Sequence, residues 1–164
     1  MNFMIYGIEC IGMIIVFTCL IIIPLCQNPV WWIHDFPEDI QEKYFETHER
    51  IPTAITSGTV LLKKGAALVF TLAVFVGLAL LAGVNSFMSA FLCSYGIWSL
   101  INWYDCFFLD WVLFANIKSV RLPGTEHMDR AYHQKLYHLK RAIIGAALGL
   151  LPSLFAGLIV SLIR

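Results

Sequence analysis

The sequence contains few charged residues, and they are unevenly distributed along the chain. Lys, Arg, Asp and Glu make up 13% of its 164 residues, whereas soluble domains contain about 25% charged residues. Hydrophobic residues make up 59%, and the mean hydropathy is +0.76. This shortage of charge argues against an ordinary soluble domain and against a nucleic-acid partner. It predicts an all-α integral membrane protein, and the length allows one domain covering residues 1–164.

Motifs of several enzyme classes are also absent from the sequence. None of the five cysteines belongs to a CxxC pair, which argues against a thiol–disulfide membrane oxidoreductase. There is no HExxH motif, no Walker loop and no GxSxG motif. The five histidines are too few for the histidine boxes of membrane di-iron hydroxylases. None of them lies in a long apolar run, which argues against a haem protein with axial histidines inside a helical bundle.

Four apolar runs are long enough to cross a membrane as helices. They cover residues 4–26, 65–84, 87–114 and 142–163. A hydrocarbon core of roughly 30 Å needs about 20 helical residues, and each run meets that length. The first run lacks the basic start and the cleavage site of a signal peptide, so we interpret it as a retained helix. The sequence therefore predicts four transmembrane helices.

The basic residues predict how these helices are oriented. Ten of the eleven Lys and Arg residues lie in two polar segments, residues 27–64 and 115–141. Because Lys and Arg accumulate in cytosolic loops, both segments are predicted to be cytosolic and both termini to lie outside. The chain is thus predicted to be a multi-pass protein of the cell membrane, with two cytosolic helical segments that cap the inner face of the bundle.

The two polar segments carry opposite net charges, which suggests that they interact. Residues 27–64 contain six acidic and four basic residues, and residues 115–141 contain two acidic and six basic residues. We expect them to dock on one another, and an acidic binding surface beside a basic one is the alternative. In the first segment a helix capped by Asp35 and ended by Pro52 is predicted, and in the second a helix that begins at Thr125.

The third apolar run contains an unusual polar stretch, NWYDCFFLDW, at residues 102–111. Counted from the outer end of the run at 1.5 Å per residue, Asp105 reaches the inner edge of the hydrocarbon. Asn102, Cys106 and Asp110 share one face of an α-helix, with Asp105 on its flank. Because ionisable residues in membrane segments usually mark functional sites, we predict a polar site that opens to the cytosol.

All five histidines are predicted to lie on the same side as these aspartates, so acid–base or metal chemistry is conceivable there. The candidate site residues are Asp105, Asp110 and His133 for catalysis, His34, His127 and Asp129 as metal ligands, and Arg121 and Arg130 for an anionic headgroup. A divalent metal ion is the candidate cofactor. The competing interpretation treats the histidines as surface residues and pairs Asp110 with Lys118 or Arg121.

These features favour a small membrane-embedded enzyme that acts on a lipid-like substrate from the cytosolic side. Gly145 and Gly149 form a GxxxG motif, which predicts close helix packing within the bundle or a homo-oligomer through the fourth span. An oligomeric transporter or channel, with Glu9 and Asp105 at opposite ends of a path, is the alternative. A second alternative is an accessory subunit that binds a partner through its charged cytosolic segments.

Overall fold

The computed structural model describes the backbone of residues 1–50 and 58–164 and the side chains of residues 1–50 and 62–164. Its α-helices are α1 (Phe3–Gln27), α2 (Glu38–Phe45), α3 (Gly58–Leu81), α4 (Phe87–Tyr104), α5 (Asp129–Tyr132), α6 (Lys135–Leu148) and α7 (Leu150–Ile163). Short 3-10 helices cover Pro29–Asp35 and Lys118–Val120, and a π-helix covers Asp105–Phe114. The described residues contain no β-strand, so the all-α prediction is confirmed.

Three helical stretches are long and apolar enough to cross a membrane, namely Phe3–Gln27, Leu62–Leu81 and Asp129–Ile163. They contain or overlap three of the four predicted spans. The predicted third span, residues 87–114, is divided between α4 and the π-helix and is not among them. Its serines and the polar stretch from Asn102 to Asp110 make it less apolar than the other runs. The membrane crossing by residues 87–114 therefore stays a prediction.

The chain divides into two compact units, each formed by separate stretches of sequence. The terminal unit comprises residues 1–13, 52–100 and 145–164, and the loop unit comprises residues 14–51 and 101–144. Residues 27–51 of the first polar segment and all of the second polar segment, residues 115–141, lie in the loop unit. Each unit is described by itself below.

In the terminal unit, the glycines of the predicted fourth span are covered by aromatic residues of α4. A Cβ atom added to Gly149 would overlap the Trp98 ring, and Trp98 Nε1 donates a hydrogen bond of 2.8 Å to the Gly145 carbonyl. Gly157 lies against Phe87, whose carbonyl oxygen would be 3.0 Å from an added Cβ. The GxxxG motif thus serves packing within the chain, and a homo-oligomer through this helix stays a prediction without support from these glycines.

In the loop unit the two polar segments are docked on one another, as the sequence predicts. Their contact is mainly apolar, because Phe36 and Ile40 of the first segment are buried in one cluster with Val120, Leu122 and Tyr132 of the second. The oppositely charged side chains of the two segments lie at the edge of this cluster. Apolar burial therefore provides most of the stabilisation, and the charged groups orient the two segments.

The predicted helix starts in these segments are wrong. Asp35 does not cap α2, because its carboxylate is paired with Arg141, and α2 follows Pro37 without a side-chain cap. The helix also ends early, at Phe45, and the predicted terminator Pro52 lies outside the described residues. Thr125 is buried in a turn, where its hydroxyl donates to the Leu122 carbonyl at 2.8 Å, so α5 begins only at Asp129.

Candidate active site in the loop unit

The loop unit contains a cavity of about 280 Å³, which we call the Asp105 cavity. Its polar lining consists of Asp35, Asn102, Asp105, Asp110, His138 and Arg141. Its apolar lining consists of Ile21, Leu25, Trp32, Phe36, Cys106, Phe114 and Ala142. The cavity brings together the two aspartates predicted from the sequence and adds three ionisable residues to them. Its volume suits a small headgroup rather than a whole lipid molecule.

The π-helix explains why both aspartates face this cavity. In an α-helix with 3.6 residues per turn, Asp105 and Asp110 would point about 140° apart. In a π-helix, which bonds residue i to residue i+5, they are about one turn apart and lie on the same face. The Ala115 N–H bonds to the Asp110 carbonyl in this i+5 pattern. Asn102, Cys106 and Asp110 line the cavity together, as the predicted face requires, and Asp105 faces the same cavity instead of lying on the flank.

Asp110 and His138 form a hydrogen-bonded pair at the wall of the cavity. The distance from His138 Nδ1 to Asp110 Oδ2 is 2.9 Å, and the His138 side chain is only 5% exposed. The second ring nitrogen, Nε2, is buried and has no hydrogen-bond partner among the described residues. The partner of Asp110 is thus neither Lys118 nor Arg121. A carboxylate that holds one imidazole nitrogen leaves the other nitrogen available for proton transfer.

Arg141 and Asp35 form a second pair at the cavity. Arg141 Nη2 lies 2.5 Å from Asp35 Oδ1, and Arg141 Nη1 donates to the Tyr137 hydroxyl at 2.7 Å. The same Nη1 also contacts the His34 carbonyl at 3.3 Å. The guanidinium is therefore held by groups of this chain, and both helical segments contribute to holding it.

Asp105 differs from the other two carboxylates of the cavity. Among the described residues, no side chain or backbone N–H donates a hydrogen bond to its carboxylate, and no cation pairs with it. The neighbouring Asn102 amide donates instead to the Ala142 carbonyl at 3.0 Å. Asp105 therefore presents the one unpaired carboxylate among the residues that line the cavity.

Several other predicted site residues lie in a separate, open groove of the loop unit. His127, Asp129, Arg130 and His133 line this groove, which we call the second groove. His133 Nδ1 lies 2.7 Å from the Asp129 carbonyl oxygen, so it contacts the backbone and not the carboxylate. His133 does not line the Asp105 cavity and is therefore separate from Asp105 and Asp110.

Arg121 is buried and bonded within its own segment, which does not suit the headgroup binding predicted for it. Its side chain is buried, and it donates to the Glu126 carbonyl at 2.6 Å, to the Ala115 carbonyl at 3.0 Å and to the Asp129 carboxylate at 2.5 Å. Hydrogen bonding to this guanidinium holds the pKa of Asp129 below its usual value. The guanidinium also lies 4.6 Å from the centroid of the Tyr132 ring.

The three predicted metal ligands do not meet at one site, because only His127 and Asp129 line the second groove together. His34 is exposed and lines neither the cavity nor the second groove, and the Asp129 carboxylate is bonded to Arg121. Within the part of the chain that the structure describes, no group of three or more His, Cys, Asp or Glu side chains is arranged to hold a metal ion. The residues present therefore do not fit a divalent metal cofactor.

Sequence analysis did not single out His138, although the sequence contains a signal for it. His138, Ala142, Gly145 and Gly149 follow one another at intervals of four, three and four residues. This spacing places His138 on the face of the helix that carries the small buried residues. A histidine in register with a buried apolar face is a better site candidate than the histidines on polar faces.

Comparisons with known proteins leave the function to be inferred from this geometry. No protein-family model, no curated protein and no solved structure matches the chain. The following interpretation therefore rests on the residues of the Asp105 cavity.

Proposed function

We propose that the chain is a small multi-pass membrane enzyme that performs acid–base chemistry on an amphipathic, lipid-like substrate. The observation that carries the proposal is the Asp110–His138 pair, in which the second imidazole nitrogen is buried without a partner at the wall of a cavity. Asp105 lies in the same cavity and has no partner of its own among the described residues. Buried groups of this kind are costly to a fold, and they persist where they serve a function.

In the proposed chemistry, His138 acts as the general base and Asp110 orients it. In the neutral ring, the Nδ1–H group donates a hydrogen bond to the Asp110 carboxylate, and Nε2 is the proton acceptor. Nε2 takes a proton from a hydroxyl group of the substrate or from water, and Asp110 stabilises the imidazolium ion that forms. The oxygen that lost the proton bonds to the electrophilic atom of the substrate, the bond from that atom to the leaving group breaks, and Nε2 returns the proton to the leaving group. His138 takes the catalytic role predicted for His133, because His133 lies outside the cavity.

The proposed setting of this site is the cytosolic side of the cell membrane. Three helices compatible with a membrane and the concentration of Lys and Arg in the two polar segments support this setting. In this arrangement the chain crosses the membrane four times, both termini lie outside, and membrane lipid surrounds the apolar faces. A substrate tail remains in the lipid while its headgroup enters the cavity.

The test is a comparison of lipid turnover by matched variants in reconstituted vesicles. Wild-type protein, His138→Gln and Asp110→Asn are placed in vesicles of mixed cellular lipids, and all lipid species are followed by mass spectrometry. We expect the wild type to consume at least one amphipathic species. Because a general base contributes roughly 10²- to 10⁴-fold, His138→Gln should slow this consumption at least about 100-fold.

Asp39→Asn is the control for this experiment. Asp39 is exposed, lines the second groove and accepts a hydrogen bond of 2.7 Å from Gln134, so its loss leaves the cavity intact. The variant should retain wild-type turnover. The proposal fails if the wild type consumes no species, or if His138→Gln and Asp39→Asn behave alike.

One observation favours the second candidate function, a transporter or channel. In the terminal unit both carboxylate oxygens of Glu9 are buried without a hydrogen-bond partner among the described residues. An unpaired ionisable residue in an apolar helix is typical of ion and proton pathways. Proton or cation flux into protein-containing vesicles that is lost in Glu9→Gln, without lipid turnover, would favour this candidate over the enzyme.

A further inference from the structure

We infer that the Asp105 cavity binds the cationic amine headgroup of an amphipathic molecule. The inference rests on the proposed function, since it names the substrate class for the same cavity. It also replaces the anionic headgroup expected from the sequence. The argument uses the charges of the cavity, its unpartnered polar atoms and its apolar walls.

Two of the three carboxylates in the cavity lining have a partner in the chain. Asp110 is paired with His138, and Asp35 is paired with Arg141. Asp105 is the third carboxylate of the lining, and it has neither a hydrogen-bond donor nor a cation among the described residues. A ligand that carries a positive charge and N–H donors satisfies this carboxylate best, because charge-assisted hydrogen bonds are about twice as strong as neutral ones.

The buried nitrogen of the histidine gives a second, independent indication of a ligand. His138 is about nine-tenths buried or more, with 5% of its side chain exposed, and its Nε2 has no partner among the described residues. Held through Nδ1 by Asp110, the neutral ring needs a donor at Nε2. A primary ammonium group has three N–H bonds, and a ligand that carries it brings donors into a cavity lined by both Asp105 and His138.

The walls of the cavity suit an organic cation with an alkyl chain. Trp32, Phe36 and Phe114 contribute aromatic rings, whose faces attract cations. Ile21 and Leu25 of α1 provide an apolar surface beside them. An inorganic cation gains little from such walls, whereas an alkylammonium ion uses both the charge and the apolar surface.

An anionic headgroup is disfavoured in the same cavity. The guanidinium in the lining, Arg141, already donates to Asp35, Tyr137 and the His34 carbonyl. Arg121 is not in the lining, and its two terminal nitrogens donate within its own segment. A phosphate or sulfate group would find the Trp32 N–H as an unused donor, but it would meet an unpaired carboxylate and no free cation among the described residues.

The test is a titration of the detergent-solubilised protein with dodecylamine, dodecyl sulfate and ethylamine, followed by native mass spectrometry. We expect one dodecylamine to bind per chain, and we expect Asp105→Asn to weaken it roughly tenfold or more, since an ionic hydrogen bond is lost. Asp39→Asn is the control and should bind like the wild type. Ethylamine should bind much more weakly, and equal binding of ethylamine would show a site for free amines and overturn the amphipathic ligand.

A second variant reverses the preference for charge and does not depend on Asp105. Asp35→Asn removes the carboxylate partner of Arg141 and frees the guanidinium at the cavity. This variant should bind dodecylamine more weakly and dodecyl sulfate more tightly than the wild type. The inference is overturned if the wild type prefers dodecyl sulfate, or if neither Asp105→Asn nor Asp35→Asn changes the binding of dodecylamine.

Different measurements would contradict the inference and the proposed function. Saturable binding of dodecylamine together with no lipid turnover would support the amine site and contradict the proposed enzymatic function. Lipid turnover that depends on His138, together with no binding of dodecylamine, would retain the enzyme and remove the amine headgroup as its substrate class.

Discussion

At the scale of single residues, Arg121 shows how a charged side chain in a sequence can be misread. The sequence places it in a basic segment, where binding of an anionic headgroup is a reasonable expectation. In the structure its side chain is 1% exposed and holds a turn of the loop unit together through the Ala115 and Glu126 carbonyls. A buried guanidinium whose donors are used this way stabilises the segment and is unavailable to a ligand.

Arg121→Ala is therefore expected to destabilise the protein, whereas Arg130→Ala is not. The first change leaves two carbonyl oxygens without their donor and removes the contact with the Tyr132 ring, for a loss of about 2–4 kcal/mol in the free energy of unfolding. Arg130 is exposed and lines only the second groove. Thermal unfolding in detergent measures both variants, and equal melting temperatures would contradict this assignment.

Residue by residue, the candidate site was predictable where a polar side chain interrupts an apolar run. Asp105 and Asp110 stand out in the sequence for this reason, and both line the cavity. Asp35 and His138 stand out less, because each lies in a polar segment, and only the spacing of His138 to the small residues of its helix distinguishes it. Their partners come from distant parts of the chain, and only the fold reveals that pairing.

At the scale of elements, the π-helix decides the geometry of the site. Apolar periodicity in Asp105–Phe114 gives no sign of it, since the stretch contains apolar residues on every face. A π-helix is locally less favourable than an α-helix, and such segments are frequent at functional sites. As a result, Asp105 and Asp110 face one cavity together. In a regular α-helix their side chains would point about 140° apart.

The packing of α7 against α4 leads to a prediction on the element scale. Gly149→Ala places a methyl group where the Trp98 ring lies, so it should cost about 1–3 kcal/mol in the free energy of unfolding. Gly77→Ala is the matched control, because nothing lies within 4 Å of a Cβ atom added to Gly77. The control should be neutral or slightly stabilising, since Ala favours helices over Gly.

Melting temperatures in one detergent compare the two glycine variants directly. A loss of stability confined to Gly149→Ala supports close packing of Trp98 on this glycine. If Gly149→Ala changes only the oligomeric state and leaves the stability of the chain intact, the GxxxG motif serves contacts between protomers instead.

At the scale of the whole molecule, the membrane topology leads to the broadest prediction. Asn85 and Lys118 flank the predicted third span, and both are exposed. In a cysteine-free background, Asn85→Cys should react with an impermeant maleimide added to intact cells. Lys118→Cys should react only after the membrane is opened, because its segment is predicted to be cytosolic.

Each pattern of labelling has a definite meaning. Reaction of both cysteines in intact cells, or of neither, would show that residues 87–114 do not cross the membrane. Reaction of Lys118→Cys alone would show the inverted orientation. The predicted pattern supports four crossings with both termini outside, and it places the Asp105 cavity at the cytosolic end of the third span.

The sequence by itself determined the helical class, the apolar runs and the two aspartates that interrupt one of them. These features follow from composition and local periodicity, which act over one or two helical turns. Only the tertiary structure decided that Asp110 pairs with His138 and that Asp35 pairs with Arg141. It also decided that Asp105, among the described residues, has no partner in the cavity. Such pairings depend on segments that are far apart in the chain and meet through burial of Phe36 and Tyr132, which local sequence patterns do not encode.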